Sequence, residues 1–147
     1  MKPTTVMRLI KYWPPYLAAG ISVREFDLDR GLVVSQMKLS KWNANYFGTM
    51  FGGSLYAMCD PFYVFILSHR LGRGYYIWDI ESKIKFKKAT SRPVHARFEI
   101  SDDEIDRIRQ EAETGSKVLP EFRTEIRDAD DQLIAEVEKT LYVKRKR

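Results

Sequence analysis

The sequence predicts an α+β domain in which an antiparallel sheet encloses one apolar helix. Two observations lead to this prediction. The segment from Trp42 to Ser68 contains a single charged residue, Asp60, although 31% of the whole chain is charged. The rest of the chain is rich in strand signals, with two candidate strands before this segment and four after it. A helix covered on most sides by a sheet explains both patterns together.

Length and composition indicate one folded domain. The 147 residues are enough for a single core, and a hydrophobic content of 44% argues against general disorder. Cys59 is the only cysteine, so an intrachain disulfide cannot form and nothing argues for secretion. The first residues, MKPTTVMRLIKYWPPYL, lack the long apolar core and the cleavage site of a signal peptide. We therefore expect a cytoplasmic protein.

The elements follow from residue type and spacing. An N-terminal helix is predicted at about residues 5–12, ended by Pro14 and Pro15. In Tyr75–Ala89, strict alternation places Ile80, Ser82, Ile84 and Phe86 on one face of a strand. The other predicted strands are 20–27, 31–39, 93–100 and a hairpin of 117–128 with 132–144 across 129–131.

A second helix is predicted over residues 101–115. Ser101 and Glu104 have the spacing of a capping box, and Gly115 is a typical helix stop. The apolar side of this helix is narrow, so we expect it on the surface or in a subunit contact. The last residues, 144–147, are expected to form a basic, solvated tail.

The apolar run from Phe51 to Leu67 has about the length of a short transmembrane helix. However, it contains Gly52-Gly53 near its start and Asp60-Pro61 in its middle, and an ionisable side chain at mid-depth is costly in hydrocarbon. A buried helix of a soluble domain is therefore expected, without membrane insertion.

Four residues of the segment from Trp42 to Ser68 carry a resemblance to a known family. The pair Gly52-Gly53 begins seven residues after Asn45, and Asp60 lies seven residues after the second glycine. This spacing, with the element order over about 20–143, resembles the hotdog-fold thioesterases of the phenylacetate-pathway branch. Within that superfamily the chain most resembles thioesterase-like proteins without settled function. The family usually has a histidine where this chain has Phe51, a departure that bears on activity and not on the fold.

The resemblance implies a hotdog fold and hydrolysis of an acyl-CoA or related thioester. Asp60 would be the general base or nucleophile, and Asn45 and Gly53 would complete the catalytic site. The backbone N–H groups of Gly52 and Gly53, at a helix start, suit an oxyanion. The substrate-contacting residues implied on this segment are Phe51, Gly52 and Ser54. Coenzyme A would enter only as part of the substrate, with no other cofactor. The resemblance also implies a homodimer or a dimer of dimers with the site between subunits.

Each of these residues also has a structural interpretation. Asp60 before Pro61 fits a helix N-cap followed by proline at the first helical position. The glycine pair could serve close packing, and Asn45 could be a turn residue, a role that Asn43 could also fill. Cys59 is expected to be a small buried hydrophobic residue and not a nucleophile. Two isolated histidines and one cysteine do not predict a metal site.

A basic segment occupies one face of the predicted long strand and the turn after it. Its members are Lys83, Lys85, Lys87, Lys88 and Arg92. Such a face commonly protects a sheet edge, but Lys85, Lys87 and Arg92 could instead hold the phosphates of coenzyme A. The net charge of +5 is modest and no nucleic-acid motif is present, so no nucleic-acid partner is expected.

Two other function classes remain open beside the thioesterase. One is a non-catalytic protein that binds acyl-CoA or a fatty-acyl group. The other, less favoured, is a basic interaction module for nucleic acid or an anionic membrane. Hydrolysis of an acyl-CoA panel would distinguish the thioesterase from the non-catalytic binding protein. Comparing the salt dependence of binding to DNA and to coenzyme A would distinguish the basic interaction module.

Overall fold

Six strands form a single antiparallel sheet in the computed structural model, which describes all 147 residues. The strands are β1 Ile21–Asp27, β2 Leu32–Met37, β3 Tyr75–Phe86, β4 Val94–Glu99, β5 Glu121–Asp128 and β6 Leu133–Arg145. Their order across the sheet is β1-β2-β4-β5-β6-β3, so β1 and β3 are the edge strands. The expected strands are therefore all present, each within a few residues of its predicted bounds.

The helices are α1 Pro3–Leu9, α2 Pro14–Ala19, α3 Gly52–Ala57, α4 Phe62–Leu71 and α5 Asp102–Glu113, with a 3-10 turn at Ile10–Tyr12. The predicted N-terminal helix is present and its last turn ends at Tyr12, just before the two prolines. Pro14 then begins α2, a second helix that was not predicted. Proline is tolerated at a first helical position because the N–H that it lacks would have no partner there.

The central helical segment, α3 with α4, supplies much of the core. Met58, Phe62, Ile66 and Leu67 are fully buried. The Phe62 ring lies 5.0 Å from that of Phe98 on β4. A curled antiparallel sheet around a central helix is thus confirmed. The helix itself is interrupted at residues 58–61 and does not run continuously from α3 into α4.

A β-bulge in β3 changes which side chains face the core. The register of β3 on β6 shifts between Asp79 and Glu81. Ser82 and Ile84 keep the predicted inward position, opposite Lys139 and Val137. Ile80, at the bulge, is exposed instead of inward, and Asp79 takes an inward position opposite Leu141. The strict alternation predicted for this strand is therefore wrong on the N-terminal side of the bulge.

The excursion between β4 and β5 packs within its own chain. Ser101 Oγ accepts a hydrogen bond from the Glu104 N–H at 3.2 Å, which confirms the cap. The apolar residues of α5, Ile105, Ile108 and Ala112, are fully buried. This side of the helix therefore belongs to the core and is not free for a subunit contact. None of the helices has the length and apolarity needed to span a membrane.

Candidate functional site

The interruption between α3 and α4 is where the chain presents Asp60. In a continuous helix the carbonyl of Ala57 would accept from the N–H of residue 61, but Pro61 has none. Phe65 N donates to Pro61 O at 3.0 Å, so the regular ladder of α4 starts only beyond Asp60. The carbonyls of Met58 and Asp60 therefore have no backbone donor, and that of Ala57 accepts only from the Asp60 N–H, at 3.2 Å.

Side chains from three separate elements donate to these carbonyls. The Tyr16 hydroxyl on α2 donates to Ala57 O at 2.7 Å. Ser35 Oγ on β2 donates to Met58 O at 2.8 Å, and Lys139 Nζ on β6 donates to Asp60 O. All three donor residues are buried. Because buried carbonyls are costly to leave unpaired, these side chains stabilise the interrupted geometry.

The Asp60 side chain is half exposed at 50%, although the surrounding segment is apolar. Its Oδ1 lies 3.6 Å from Lys139 Nζ and 3.5 Å from the Tyr56 hydroxyl. It makes no capping bond, and Pro61, not Asp60, is the N-cap residue of α4. The N-cap interpretation of Asp60 is therefore wrong. The interruption instead lets one carboxylate reach solvent from within the most apolar part of the chain.

Lys139 is a site residue that sequence reasoning missed. Its side chain is 0% exposed, and its Nζ also lies 3.0 Å from Asp79 Oδ2. A buried ammonium group is tolerated only with charge partners, and here two carboxylates provide them. The signal was present in β6, where Lys139 occupies an inward position between Val137 and Leu141.

Asp79 was missed because the bulge in β3 could not be anticipated. Alternation from Ser82 would place it on the outer face with Glu81. The observed register turns it inward, where its Oδ1 is buried without a hydrogen-bond partner. Burial raises the pKa of the Asp79 carboxyl, the Lys139 charge partly counters this, and the nearby Asp60 adds to the rise. Asp60, Asp79 and Lys139 thus form one charged cluster with a single cation.

Gly52 and Gly53 begin α3, and their backbone N–H groups make no hydrogen bond within the chain. Aromatic rings occupy the space that a side chain would need. A Cβ on Gly52 would lie 2.9 Å from the Phe86 ring, and one on Gly53 would lie 2.5 Å from the Phe51 ring. The two glycines therefore allow close packing against aromatic rings, and their N–H groups are in addition free to donate. Ser54, the next residue, is buried and its N–H donates to Phe51 O at 3.0 Å.

Asn45 braces the loop that leads to α3. Its Oδ1 accepts from the N–H groups of Phe47 at 2.9 Å and Thr49 at 3.1 Å, and its Nδ2 donates to Thr49 Oγ1 at 2.8 Å. Asn43 is buried and its Nδ2 donates to Ala19 O and Lys38 O, both at 2.7 Å. Both asparagines hold loop geometry, and Asn45 makes no hydrogen bond to Asp60.

Cys59 next to the candidate carboxylate is buried, and burial raises the pKa of its thiol, with the Lys139 charge opposing and Asp60 adding to the rise. Because the thiolate is the reactive form, this environment disfavours a nucleophilic role. The interpretation of Cys59 as a small buried residue is confirmed.

The basic segment is partly neutralised by the chain's own acids. Arg92 Nε lies 3.0 Å from Asp130 Oδ2, and Lys87 Nζ lies 3.8 Å from Glu136 Oε2. Lys85 is exposed and makes no ion pair, although Glu136 stands opposite it on β6. The structure does not bring these three residues into contact with Asp60.

Two apolar surfaces lie beside the site. The loop before α3 carries the largely exposed side chains of Trp42, Tyr46 and Phe47. A cavity of about 420 Å³ lies between the N-terminal helices and the start of α4, and it is lined mainly by apolar residues that include Trp13, Pro61 and Phe65. The N-terminal segment that forms this cavity was not identified as part of a site from the sequence.

Solved structures show which fold class this architecture defines. A protein of unknown function from Pseudomonas aeruginosa, described as a probable thioesterase, has a TM-score of 0.87 at 16% identity, covering 98% of this chain and 97% of its own. A protein of unknown function from Chlorobaculum tepidum TLS has a TM-score of 0.78 at 15% identity, covering 99% and 98%. A thioesterase from Haemophilus influenzae has a TM-score of 0.64 at 16% identity, covering 89% and 82%. At such identities the likeness shows the shared fold alone, which is the hotdog fold.

The family follows from the sequence match. The model of the family described as a domain of unknown function, DUF4442, matches residues 4–143. The chain belongs to this family. No significant match was found among curated proteins.

Proposed function

We propose that this chain is an acyl-CoA thioesterase in which Asp60 acts as the general base or nucleophile. The observation that carries the proposal is the placement of Asp60. The chain interrupts its central helix, provides three buried side-chain donors for the carbonyls at the interruption, and thereby exposes one carboxylate in an otherwise apolar segment. As a base, Asp60 would take a proton from water while the oxygen attacks the thioester carbonyl carbon, and the thiolate of coenzyme A would leave.

Gly52 and Gly53 are the proposed oxyanion donors, because their N–H groups are the free donors at the start of α3. Asn45 is proposed to act by holding the loop before them, which it braces through four hydrogen bonds. Phe51 and Ser54 are the proposed substrate contacts on the same segment. The finer assignment, to the phenylacetate-pathway branch, rests on the spacing of Asn45, the glycine pair and Asp60.

The proposed active form is a homodimer or a dimer of dimers with the site between subunits, located in the cytoplasm. Two features support the assembly. β3 is an edge strand, so its free backbone groups can pair with a second copy. The loop before α3 exposes the aromatic side chains of Trp42, Tyr46 and Phe47, as expected of a surface covered in an assembly.

A second candidate function is favoured by Phe51, which stands where the family usually has histidine. On this proposal the chain binds an acyl-CoA or fatty-acyl group without hydrolysing it. The apolar cavity near Pro61 would suit an acyl group in either case. Saturable binding of acyl-CoA with no release of free thiol would select this function over the thioesterase.

The test of the enzyme proposal is Asp60→Asn, assayed with a panel of acyl-CoA substrates by release of free thiol. We expect hydrolysis to fall by roughly a hundredfold or more, because the amide cannot accept the proton. The melting temperature should change little, since Asp60 caps no helix and Lys139 keeps its ion pair with Asp79. Asp103→Asn, at an exposed acid on α5, is the matched control and should keep full activity. Undiminished hydrolysis by a folded Asp60→Asn variant, with the wild-type mass in light scattering, would exclude the catalytic role.

A further inference from the structure

We infer that Lys139 and Asp79 are positioning residues for Asp60. Lys139 holds the main-chain carbonyl and the carboxylate of Asp60 in place, and Asp79 is the counterion that compensates Lys139 inside the core. This inference rests on the proposed function in that it assigns a purpose to the position of Asp60. No family resemblance points to either residue, and they lie on β6 and β3, away from the glycine pair in the chain.

The first step is the contact with the main chain. Lys139 Nζ donates to Asp60 O, a carbonyl that has no helical N–H partner because the ladder of α4 begins at Pro61 O. Fixing this carbonyl fixes the peptide that carries the Asp60 side chain. A long flexible lysine would not be held at 0% exposure for this purpose unless its charge were compensated.

The second step is the sharing of one positive charge by two carboxylates. Lys139 Nζ is 3.0 Å from Asp79 Oδ2 and 3.6 Å from Asp60 Oδ1. Asp79 is therefore the closer partner of Lys139, and Asp60 neutralises only part of the lysine charge. Both carboxylates are thus held to the same ammonium group, which ties the Asp60 side chain to β6 and β3.

The other titratable groups around Asp60 carry no positive charge. They are Tyr56 on α3, Tyr16 on α2 and Cys59 in the interruption itself. Burial raises the pKa of both the Tyr16 hydroxyl and the Cys59 thiol, and Asp60 adds to both shifts, so neither group ionises near neutral pH. Lys139 is thus the only cation whose nitrogen lies within 4.0 Å of the Asp60 carboxylate.

The contact with the main chain gives the test. The ¹³C chemical shift of the Asp60 main-chain carbonyl is measured by NMR in the full chain, together with kcat and KM for acyl-CoA. Lys139→Met should displace this resonance and lower kcat roughly tenfold or more, because the donor to the carbonyl is lost. Asp79→Asn weakens the hold on Lys139 without removing the donor, so it should change both quantities in the same way but less. A merely structural role for the two residues would lower the melting temperature without lowering kcat of the folded protein.

Lys139→Met leaves Asp79 buried and unpaired, so it risks misfolding. The double variant Lys139→Met with Asp79→Asn removes both buried charges and should fold, with the displaced carbonyl resonance and the lowered kcat of Lys139→Met. Lys144→Met, on β6 but outside the cluster, is the matched control and should leave the Asp60 carbonyl resonance and kcat unchanged. Where hydrolysis persists, kcat should fall more than KM rises in Lys139→Met, because substrate contacts are retained.

The outcomes separate this inference from the proposed function. A displaced Asp60 carbonyl resonance in Lys139→Met, when the wild type hydrolyses no thioester, would support the positioning pair and exclude the thioesterase. Hydrolysis that depends on Asp60, with both single variants changing the resonance and kcat no more than Lys144→Met does, would support the thioesterase and overturn the positioning pair. A lower kcat in Lys139→Met with an unshifted Asp60 carbonyl would also overturn it.

Discussion

Removing the Ser35 hydroxyl should destabilise the protein, because one buried carbonyl group loses its hydrogen-bond donor. Ser35 Oγ donates to Met58 O at 2.8 Å, and Ser35 is 0% exposed. Met58 O has no backbone partner, because the N–H that would reach it in a continuous helix belongs to Phe62, which makes no such bond. In Ser35→Ala this acceptor remains buried and unpaired, so the free energy of unfolding should fall by about 1 to 3 kcal/mol.

That loss corresponds to a fall in melting temperature of roughly 3 to 10 °C for a domain of this size. Urea titration followed by circular dichroism should show a lower midpoint with an unchanged slope, since the surface exposed on unfolding is the same. The matched control is Ser22→Ala, which removes a partly buried hydroxyl that only accepts a bond from Gln36 Nε2 at 3.2 Å.

The control should cost no more than about 0.5 kcal/mol. If Ser35→Ala and Ser22→Ala were equally stable, the carbonyls of the interruption would not depend on side-chain donors. The explanation given for the exposure of Asp60 would then be refuted.

Two further predictions concern titration and substrate binding. Above roughly pH 8.5, the ordinary range of a thiol, unfolded Cys59 loses its proton while buried Cys59 keeps it, so stability falls as pH rises. Cys59→Ala should make this alkaline loss shallower by up to about 1.4 kcal/mol per pH unit in denaturation experiments, and identical slopes would contradict the buried-thiol explanation. If Lys85, Lys87 and Arg92 hold coenzyme A phosphates, reversing their charges should raise KM for acyl-CoA roughly tenfold or more. A thioester without the nucleotide should be affected much less, and equal effects on both substrates would leave these residues as solvated surface.

Much of the architecture could be predicted from local patterns. Alternation with period two in the strands and the nearly uncharged segment around Asp60 indicate which side chains are buried. The fold is the arrangement that buries these side chains together. The same logic found Asp60, because a lone charge in an apolar segment requires an explanation. The sequence did not reveal the interruption of the helix, because a pair such as Asp60-Pro61 can stand either at the start of a helix or between two helices.

The partners of Asp60 could not be predicted in this way. Lys139 is 79 residues away along the chain and Asp79 is 60 residues from Lys139, so no local spacing relates them. The bulge next to Asp79 reversed the face that alternation assigns to it, and one extra residue in a strand leaves no clear mark in the sequence. The α2 helix was missed for a related reason, since prolines that end one helix can begin the next.

The interruption of the central helix also couples the candidate site to the order in which the chain is assembled. Its three side-chain donors are separated from their acceptors by 41, 23 and 79 residues. The chain between Gly52 and Leu71 therefore cannot reach its final shape until α2, β2 and β6 have all docked. Contacts so distant in sequence form late because their loops cost entropy before any bond is made. A nascent chain that lacks its last strand would keep the charge of Asp60 without the lysine that accompanies it, so the site matures only when translation of the domain is complete.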